Sequence, residues 1–414
     1  MERAELRQLA LATGCAREVG EWVFLEDPRW GEAERVQAAA IRAMSLEQGA
    51  GSLDRGAASS KLSADNSKLV VHGSNGPVPR GWLCIPTGGS SGALKFARHD
   101  EHTLGAAVRG FCAHFGLERV HAVDVLPAHH VSGFMARVRC AATGGRHLAA
   151  NWKAIEAGEY PAIEADGPWV ISLVPTQLQR LLATPRGAEW LRGFAIVFIG
   201  GAALWEGLAD EAARAGIRLA PSYGMTETAA MVTALTPDEF LAGKRSSGRP
   251  MPHARIAFDA DGVVSIAGAS LFYGYAPETR PDEPFVTADL GEFDADGGLR
   301  IRGRRDAVIV TGGEKVQPAE VELALRATGE FPDVAVIGVP DPEWGERVVA
   351  CYPARAEHEP DWRRVESALA SLAAFKRPKR FVALPDWPRN AQGKLNRARL
   401  RELAGGRPDA NVES

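Results

Sequence analysis

Six consecutive positions, Thr87–Gly92, hold one threonine, three glycines and two serines, and Lys95 follows three positions later. Side chains of these types at this spacing suit a polyphosphate. Gly88, Gly89 and Gly92 let the backbone turn with positive φ and put no Cβ in the way of a ligand. Successive N–H groups in such a turn form a concave nest for an anion. Thr87, Ser90 and Ser91 add hydroxyl donors, and Lys95 adds a positive charge. The spacing matches neither the P-loop nor the dinucleotide fingerprint. A Gly/Ser cluster is also the composition of an ordinary surface loop, so this stretch alone leaves both readings open.

Further along, Pro221–Thr228 reads Pro-Ser-Tyr-Gly-Met-Thr-Glu-Thr. Tyr223 can stack on a base and Thr226 can donate to a phosphate. Glu227 is a hard oxygen ligand of the kind Mg²⁺ takes together with phosphate oxygens. The alternative is a capped helix start, with Glu227 favouring its N-terminus. Asp289, in Thr-Ala-Asp-Leu-Gly, could accept from both hydroxyls of a ribose or close an Asx turn. Arg304 and Arg305 could reach sugar or phosphate or form surface ion pairs. Gly312-Gly313 gives a tight turn that also lets a cofactor arm pass close to the backbone. Lys394 lies on an exposed turn. His129-His130 read as strand neighbours pointing to opposite faces; neither they nor His99/His102 have a third histidine or cysteine at ligand spacing, which argues against histidine-bound metal.

The elements that must position these groups are legible as an alternation. Leu69–His72, Trp82–Ile85, Ala122–Leu126, Trp169–Pro175, Ala195–Gly201 and Arg218–Ser222 read as strands. Asp100–Phe115, Pro175–Ala183 and Leu204–Ala215 read as helices. A strand-to-helix turn spans Leu126–Gly133. This pattern predicts a parallel sheet with helices on both faces. Residues 1–50 read as helices and Gly49–Asn66 as a linker. After about Ser247 the segments Arg255–Asp259, Val263–Ala267 and Gly298–Gly303 are short and alternating, and predict antiparallel strands or a small barrel. Beyond Arg305 come Val308–Val310, Pro318–Thr328, Val334–Val339, Trp362–Ala374 and Arg380–Leu384, a compact α+β unit. The fold class is therefore α/β. A large N-terminal domain, 1–305, carries parallel-sheet layers and a β-barrel-like part, and a small C-terminal domain spans 306–414.

Bulk composition narrows the function classes. The chain has 414 residues, 45% hydrophobic and 24% charged, with a net charge of −4. That balance gives no electrostatic case for nucleic acid or an anionic membrane. Five scattered cysteines without a C-x-x-C fit neither a disulfide framework nor a zinc site. With no signal peptide and no apolar run of about 18 residues, the expected location is the cytoplasm.

Taken in order, these stretches resemble the adenylate-forming superfamily of acyl-CoA synthetases, luciferases and peptide-synthetase adenylation domains. Thr87–Lys95 resembles its phosphate loop; Gly200-Gly201-Ala202 and Tyr223–Thr228, including Gly224 and Met225, resemble its adenine and Mg²⁺ segments. Asp289 and Arg304 match its ribose-binding acid and arginine. Asp306 falls on its hinge, Gly312–Glu322 on its post-hinge glycine segment, and Lys394 on its late catalytic lysine. Within the family, Val170–Leu182 and His130–Gly133 look like the o-succinylbenzoate–CoA ligases of menaquinone and phylloquinone synthesis. Only 86 residues precede Thr87, which departs from the longer N-terminal part usual in the family.

The resemblance implies ATP, Mg²⁺ and coenzyme A as reactants and cofactor, with a small carboxylic acid as substrate. It implies catalytic roles for Thr226, Glu227 and Lys394, and an acyl pocket that takes in His130, Ser132, Gly133 and Gln177. Thiol delivery falls to the Gly312-Gly313 face. Two alternatives stay open: a ligase of the same superfamily for another aryl or fatty acid, and a nucleotide-binding regulator without chemistry. Amino-acid activation fits less well, because His129-His130 stands where an acid for the α-amino group is expected. The oligomeric state is left between monomer and homodimer.

Overall fold

The computed structural model describes residues 1–50, 80–88, 94–164, 167–331, 333–354, 359–389 and 395–405. The expected strand Leu69–His72 and nearly all of the expected linker lie outside these residues.

The N-terminal segment is not all helix. Helices α1 (Arg3–Leu11) and α2 (Glu32–Ala50) flank an antiparallel hairpin of β1 (Ala16–Val19) and β2 (Trp22–Leu25). The helical spacing of Ala and Glu on either side hides the run Trp-Val-Phe-Leu. All four of these residues are buried, as suits a strand of aromatic and β-branched residues. Strand β2 runs parallel to β3 (Leu83–Gly88), which pairs antiparallel with β4 (Leu94–His99). Within that last pair Thr87 lies directly opposite Lys95, so both side chains leave the same face.

The central sheet has seven strands. In chain order they are β5 (His121–Asp124), β6 (His147–Ala149), β7 (Trp169–Leu173), β8 (Ile196–Ile199), β9 (Leu219–Met225), β10 (Ala230–Ala234) and β11 (Arg249–Pro250). Their spatial order is β11-β10-β9-β8-β7-β5-β6. From β6 to β9 all neighbours are parallel. Strand β8 reads Ile-Val-Phe-Ile with every residue buried, the continuous apolar run of a strand covered on both faces. Val197 and Ile199 pack with α5 (Trp152–Glu156), α6 (Pro175–Leu182), α7 (Pro185–Arg192), α8 (Glu206–Arg214) and α9 (Pro237–Leu241). Ile196 and Phe198 pack with α3 (Glu101–Phe115) and α4 (Val131–Thr143).

The edge corrects one expectation. Strand β9 runs on through Tyr223–Met225, and no α-helix follows. A 3₁₀ turn at Thr226–Thr228 leads straight into antiparallel β10. Gly224 permits this pairing, since a Cβ there would lie 2.0 Å from the Ala230 carbonyl oxygen.

A second antiparallel sheet joins β12 (Ala254–Phe258), β13 (Val263–Gly268), β14 (Phe285–Phe293) and β15 (Leu299–Arg304) in sequential order. Strand β14 has no counterpart among the expected strands, and an Asx turn was one of the two readings open for Asp289. Asp289 instead lies opposite Arg304 in the β14–β15 ladder, and the register shifts at Leu290/Gly291.

The C-terminal domain places β16 (Ile309–Thr311), β17 (Glu314–Val316), β18 (Ala335–Asp341), β19 (Gly345–Pro353) and β20 (Arg380–Leu384) in one sheet. Its faces are covered by α10 (Pro318–Ala327) and α11 (Trp362–Ala370) on one side and by a helix at Arg397–Gly405 on the other. Strand β19, the centre of this sheet, had no counterpart in the sequence reading. Among the described residues no helix is long and apolar enough to cross a membrane.

Candidate nucleotide and metal site

The ends of β8 and β9 lie at the carboxyl edge of the parallel strands, where ligands of open α/β sheets bind. Glu227 follows β9 directly and is 7% exposed. Its Oε1 accepts the hydroxyl of Thr87 at 3.3 Å and that of Tyr275 at 2.8 Å. Its Oε2 takes no hydrogen bond among the described residues. Lys95 Nζ sits 4.8 Å from the centre of the Tyr275 ring. A half-satisfied carboxylate, two hydroxyls and a lysine within one side chain's reach fit a divalent cation with phosphate oxygens, because Mg²⁺ takes one or two carboxylates and leaves other positions to phosphate and water.

The turn that carries Glu227 is tied down on all sides. The Glu227 carbonyl accepts from the Phe272 N–H at 2.9 Å. The Thr228 hydroxyl donates to the Ala230 carbonyl at 2.6 Å. Ala229 and Ala230 both have positive φ, 54° and 79°, a strained conformation for residues with a Cβ. His99, fully buried, places Nε2 2.8 Å from the Thr226 carbonyl and Nδ1 3.1 Å from the Thr103 hydroxyl. A carbonyl can only accept, so Nε2 carries the proton. Burial pulls the His99 pKa down to about 4, and the ring is neutral near pH 7.

At the other end of the same segment, Tyr223 donates to Asp289 Oδ2 at 2.6 Å, and Arg304 donates to Oδ1 at 3.2 Å. Burial, and after it the Asp289 charge, pushes the Tyr223 phenol well above its ordinary range. Arg304 also grips Asp306 with Nε at 2.9 Å and a terminal nitrogen at 2.7 Å. Asp289 is thus held from both sides, with Arg304 linking it to the hinge position expected at Asp306. The Tyr223 hydroxyl is thus engaged with the acid, a contact additional to the base stacking its ring could provide.

The remaining expected residues fall into three groups. Gly201 and Ala202 are exposed just beyond β8, and Gly201 has φ 78°. His130 precedes α4 as its N-terminal cap residue, and Ser132 is half-buried on that helix. The adjacent histidines lie on the expected strand-to-helix turn with ring centres 4.5 Å apart, so the opposite-face geometry of strand neighbours does not apply to them. Gly133 faces the Leu126 and Pro127 carbonyls, 2.7 and 2.4 Å from where a Cβ would sit. Gln177 uses Oε1 to accept from the Val174 N–H at 2.9 Å, closing the first turn of α6. Gly312 and Gly313, with φ 58° and 85°, form the two-residue turn between β16 and β17, as a hairpin with both central residues at positive φ requires. The half-exposed Trp344 ring stands 2.9 Å from where a Gly312 Cβ would be. Gly89, Ser90, Ser91, Gly92 and Lys394 lie outside the described residues.

Tyr275, His99 and Trp344 were not foreseen. Tyr275 follows a Phe-Tyr-Gly run in a loop with no motif signal, and His99 reads as one half of a failed metal pair. Only their tertiary neighbours give them meaning.

A loop hydroxyl on a buried acid at a sheet edge, and a second acid held by Tyr223 and Arg304 on the antiparallel sheet, are an arrangement that fits a nucleotide-handling α/β protein. The chain belongs to the AMP-binding enzyme family, whose sequence profile matches residues 56–276, and the AMP-binding enzyme C-terminal domain matches residues 320–394. It is 30% identical to the 2-succinylbenzoate–CoA ligase of Geobacillus kaustophilus over 340 residues, 77% of this chain and 67% of that one. It is also 30% identical to the indoleacetate–CoA ligase of Aromatoleum aromaticum over 299 residues, 68% of this chain and 59% of that one. The chain spans about half to two thirds of the length of the curated relatives it matches. Its fold matches o-succinylbenzoate CoA synthetase from Bacillus subtilis in complex with the acyl-adenylate intermediate, with TM-score 0.69 and 23% identity over 80% of this chain and 70% of that one. ATP-bound MatB from Rhodopseudomonas palustris matches with TM-score 0.66 and 27% identity over 78% and 68%.

Proposed function

We propose that this protein is an AMP-forming carboxylic acid–CoA ligase that works through an acyl-adenylate, with o-succinylbenzoate as its acid, in menaquinone biosynthesis. The observation that carries the reading is the meeting of Thr87 and Glu227, 140 positions apart, on one carboxylate oxygen, in a chain of this family. Relatives named for 2-succinylbenzoate recur among the matches, which supports the acid. The indoleacetate-named relative makes indoleacetate the second acid to test.

A carboxylate is unreactive towards a thiol because oxide is a poor leaving group. In the proposed reaction its oxygen attacks the α-phosphorus of ATP and pyrophosphate leaves. Glu227 Oε2 and the Thr87 side of the loop would hold Mg²⁺, which supplies positive charge to the phosphate oxygens. Lys95 and the loop Gly88–Gly92 receive the leaving pyrophosphate, and Asp289 takes the ribose hydroxyls. Gly201, Ala202, Gly224 and Met225 line the adenine side, and the acid lies near His130, Ser132, Gly133 and Gln177. Lys394 bridges carboxylate and α-phosphate, a fixed electrostatic contribution worth roughly 10²–10³ in rate by analogy with oxyanion donors. The domain boundary falls at Arg305–Asp306. Rotation there withdraws Lys394 and brings the Gly312-Gly313 turn to guide the coenzyme A thiol, a hinge movement absorbed by few residues. The five cysteines are all free, which suits a reducing cytoplasm.

The test is direct. Incubation with o-succinylbenzoate, ATP and coenzyme A is expected to give the CoA thioester, AMP and pyrophosphate. Lys394→Ala is expected to lose adenylation while keeping ATP binding. Wild-type protein that binds ATP but activates neither o-succinylbenzoate nor any of a panel of aryl and fatty acids overturns the reading.

A further inference from the structure

Tyr275 touches the two charged groups of the phosphate side at once. Its hydroxyl donates to Glu227 Oε1 at 2.8 Å, and its ring face carries Lys95 Nζ at 4.8 Å from the centroid. A lysine and a glutamate this close would otherwise pair with each other. Such a pair would use up the charge each needs for a ligand. Here the cation rests on the ring and the anion on the hydroxyl edge, and no Lys95–Glu227 ion pair occurs among the described residues. With the hydroxyls of Tyr275 and Thr87 both on Oε1, the carboxylate cannot rotate freely, and Oε2 is the oxygen left for a ligand.

The tyrosine is itself held. The Tyr273 and Ala276 N–H groups donate to the Arg98 and Phe96 carbonyls, both at 2.9 Å, pinning the loop to β4. Arg98, buried, donates to the Pro277 and Glu278 carbonyls at 3.2 and 2.8 Å. The Tyr275 ring packs against Phe272 with centroids 4.9 Å apart. This backbone anchoring fixes the Tyr275 side chain in place.

We propose that Tyr275 is a positioning residue that keeps Lys95 and Glu227 apart, presenting Lys95 to the nucleotide's phosphates and Glu227 Oε2 to its divalent cation. The inference rests on the nucleotide reading of this site and does not depend on which acid is activated.

Two variants separate the two contacts. Tyr275→Phe keeps the ring under Lys95 and removes the donor to Glu227. Its Mn²⁺ affinity in the ATP complex, measured by electron paramagnetic resonance titration, is expected to fall about tenfold or more, the scale of a lost hydrogen bond to a charged group. Its affinity for metal-free ATP is expected to stay as in wild type. Tyr275→Leu removes both contacts, and its metal-free ATP affinity is expected to fall as well, because Lys95 can then close on Glu227. A Tyr275→Phe protein with unchanged Mn²⁺ affinity overturns the proposal, whatever its turnover. Equal loss of metal-bound and metal-free ATP affinity, with a lowered melting temperature, also overturns it and marks a purely structural tyrosine. Wild-type protein that binds Mn²⁺ and ATP yet activates no acid would sink the ligase reading and leave Tyr275 to be judged by these titrations. Wild-type protein that binds no nucleotide sinks both.

Discussion

Glu227 and His99 illustrate how single side chains carry the site. Glu227→Gln keeps the shape and removes the charge. It is expected to lower pyrophosphate release by roughly 10²–10³, the scale of a lost fixed electrostatic group, without changing the melting temperature much. Activity near wild type would remove Glu227 from the chemistry. His99 gives a pH signature. Its folded pKa of about 4 lies below the ordinary 6.5, so between those values the unfolded chain binds a proton that the folded chain refuses. Stability is therefore full above about pH 6.5 and falls as the pH drops towards 4, by up to about 1.4 kcal/mol per pH unit. His253 is lowered to about 4 by burial too and adds with the same sign. Denaturant midpoints measured from pH 7 to 4.5 are expected to fall, and His99→Gln is expected to lessen the slope by less than half, because burial lowers His114 and His129 as well. An unchanged slope would show that His99 does not reach that buried neutral state in solution.

At the scale of elements, the site depends on two ladders. The β9–β10 pair lets the chain turn back at Thr226–Thr228, and it needs Gly224 because a methyl there would meet the Ala230 carbonyl oxygen at 2.0 Å. Gly224→Ala is expected to cost about 1–3 kcal/mol, the usual penalty of an overpacked site, read as a lower denaturant midpoint. An unaltered midpoint would mean that β10 yields easily. The β14–β15 ladder sets Asp289 against Arg304. Asp289→Ala is expected to erase the preference for ATP over 2′,3′-dideoxy-ATP in equilibrium binding. A preference that survives would place the ribose elsewhere.

For the whole molecule, the chain Tyr223–Asp289–Arg304–Asp306 runs from the central sheet through the antiparallel sheet to the proposed hinge. The Arg304–Asp306 link is partly exposed, and such pairs contribute little stability. Its value lies in placing the hinge beside the ribose acid. Asp306→Pro fixes φ at that position and restricts Arg305 before it. It is expected to separate the half-reactions, with pyrophosphate release retained and thioester formation reduced at least tenfold. Equal loss of both would move the hinge away from Asp306.

The order of motifs, the alternation of strand and helix, and the identities of Thr87, Glu227, Asp289 and Arg304 were legible in the chain, because glycine clusters, buried apolar runs and caps are local signals. Strand β2 was hidden between helical stretches, and β14 and β19 went unread although both carry strand-forming residues, Phe285-Val286-Thr287 in one and Val348, Val349 and Tyr352 in the other. Tyr275 and His99 were invisible for a different reason: a tyrosine or histidine gains a role only when a distant carboxylate or carbonyl is brought within hydrogen-bond reach. What the sequence determined by itself was the kinds of group available and their order along the backbone. What only the tertiary structure decided was which of them meet, since the contact between Thr87, Glu227 and Tyr275 joins three segments through packing of two sheets, and no local preference encodes that distance.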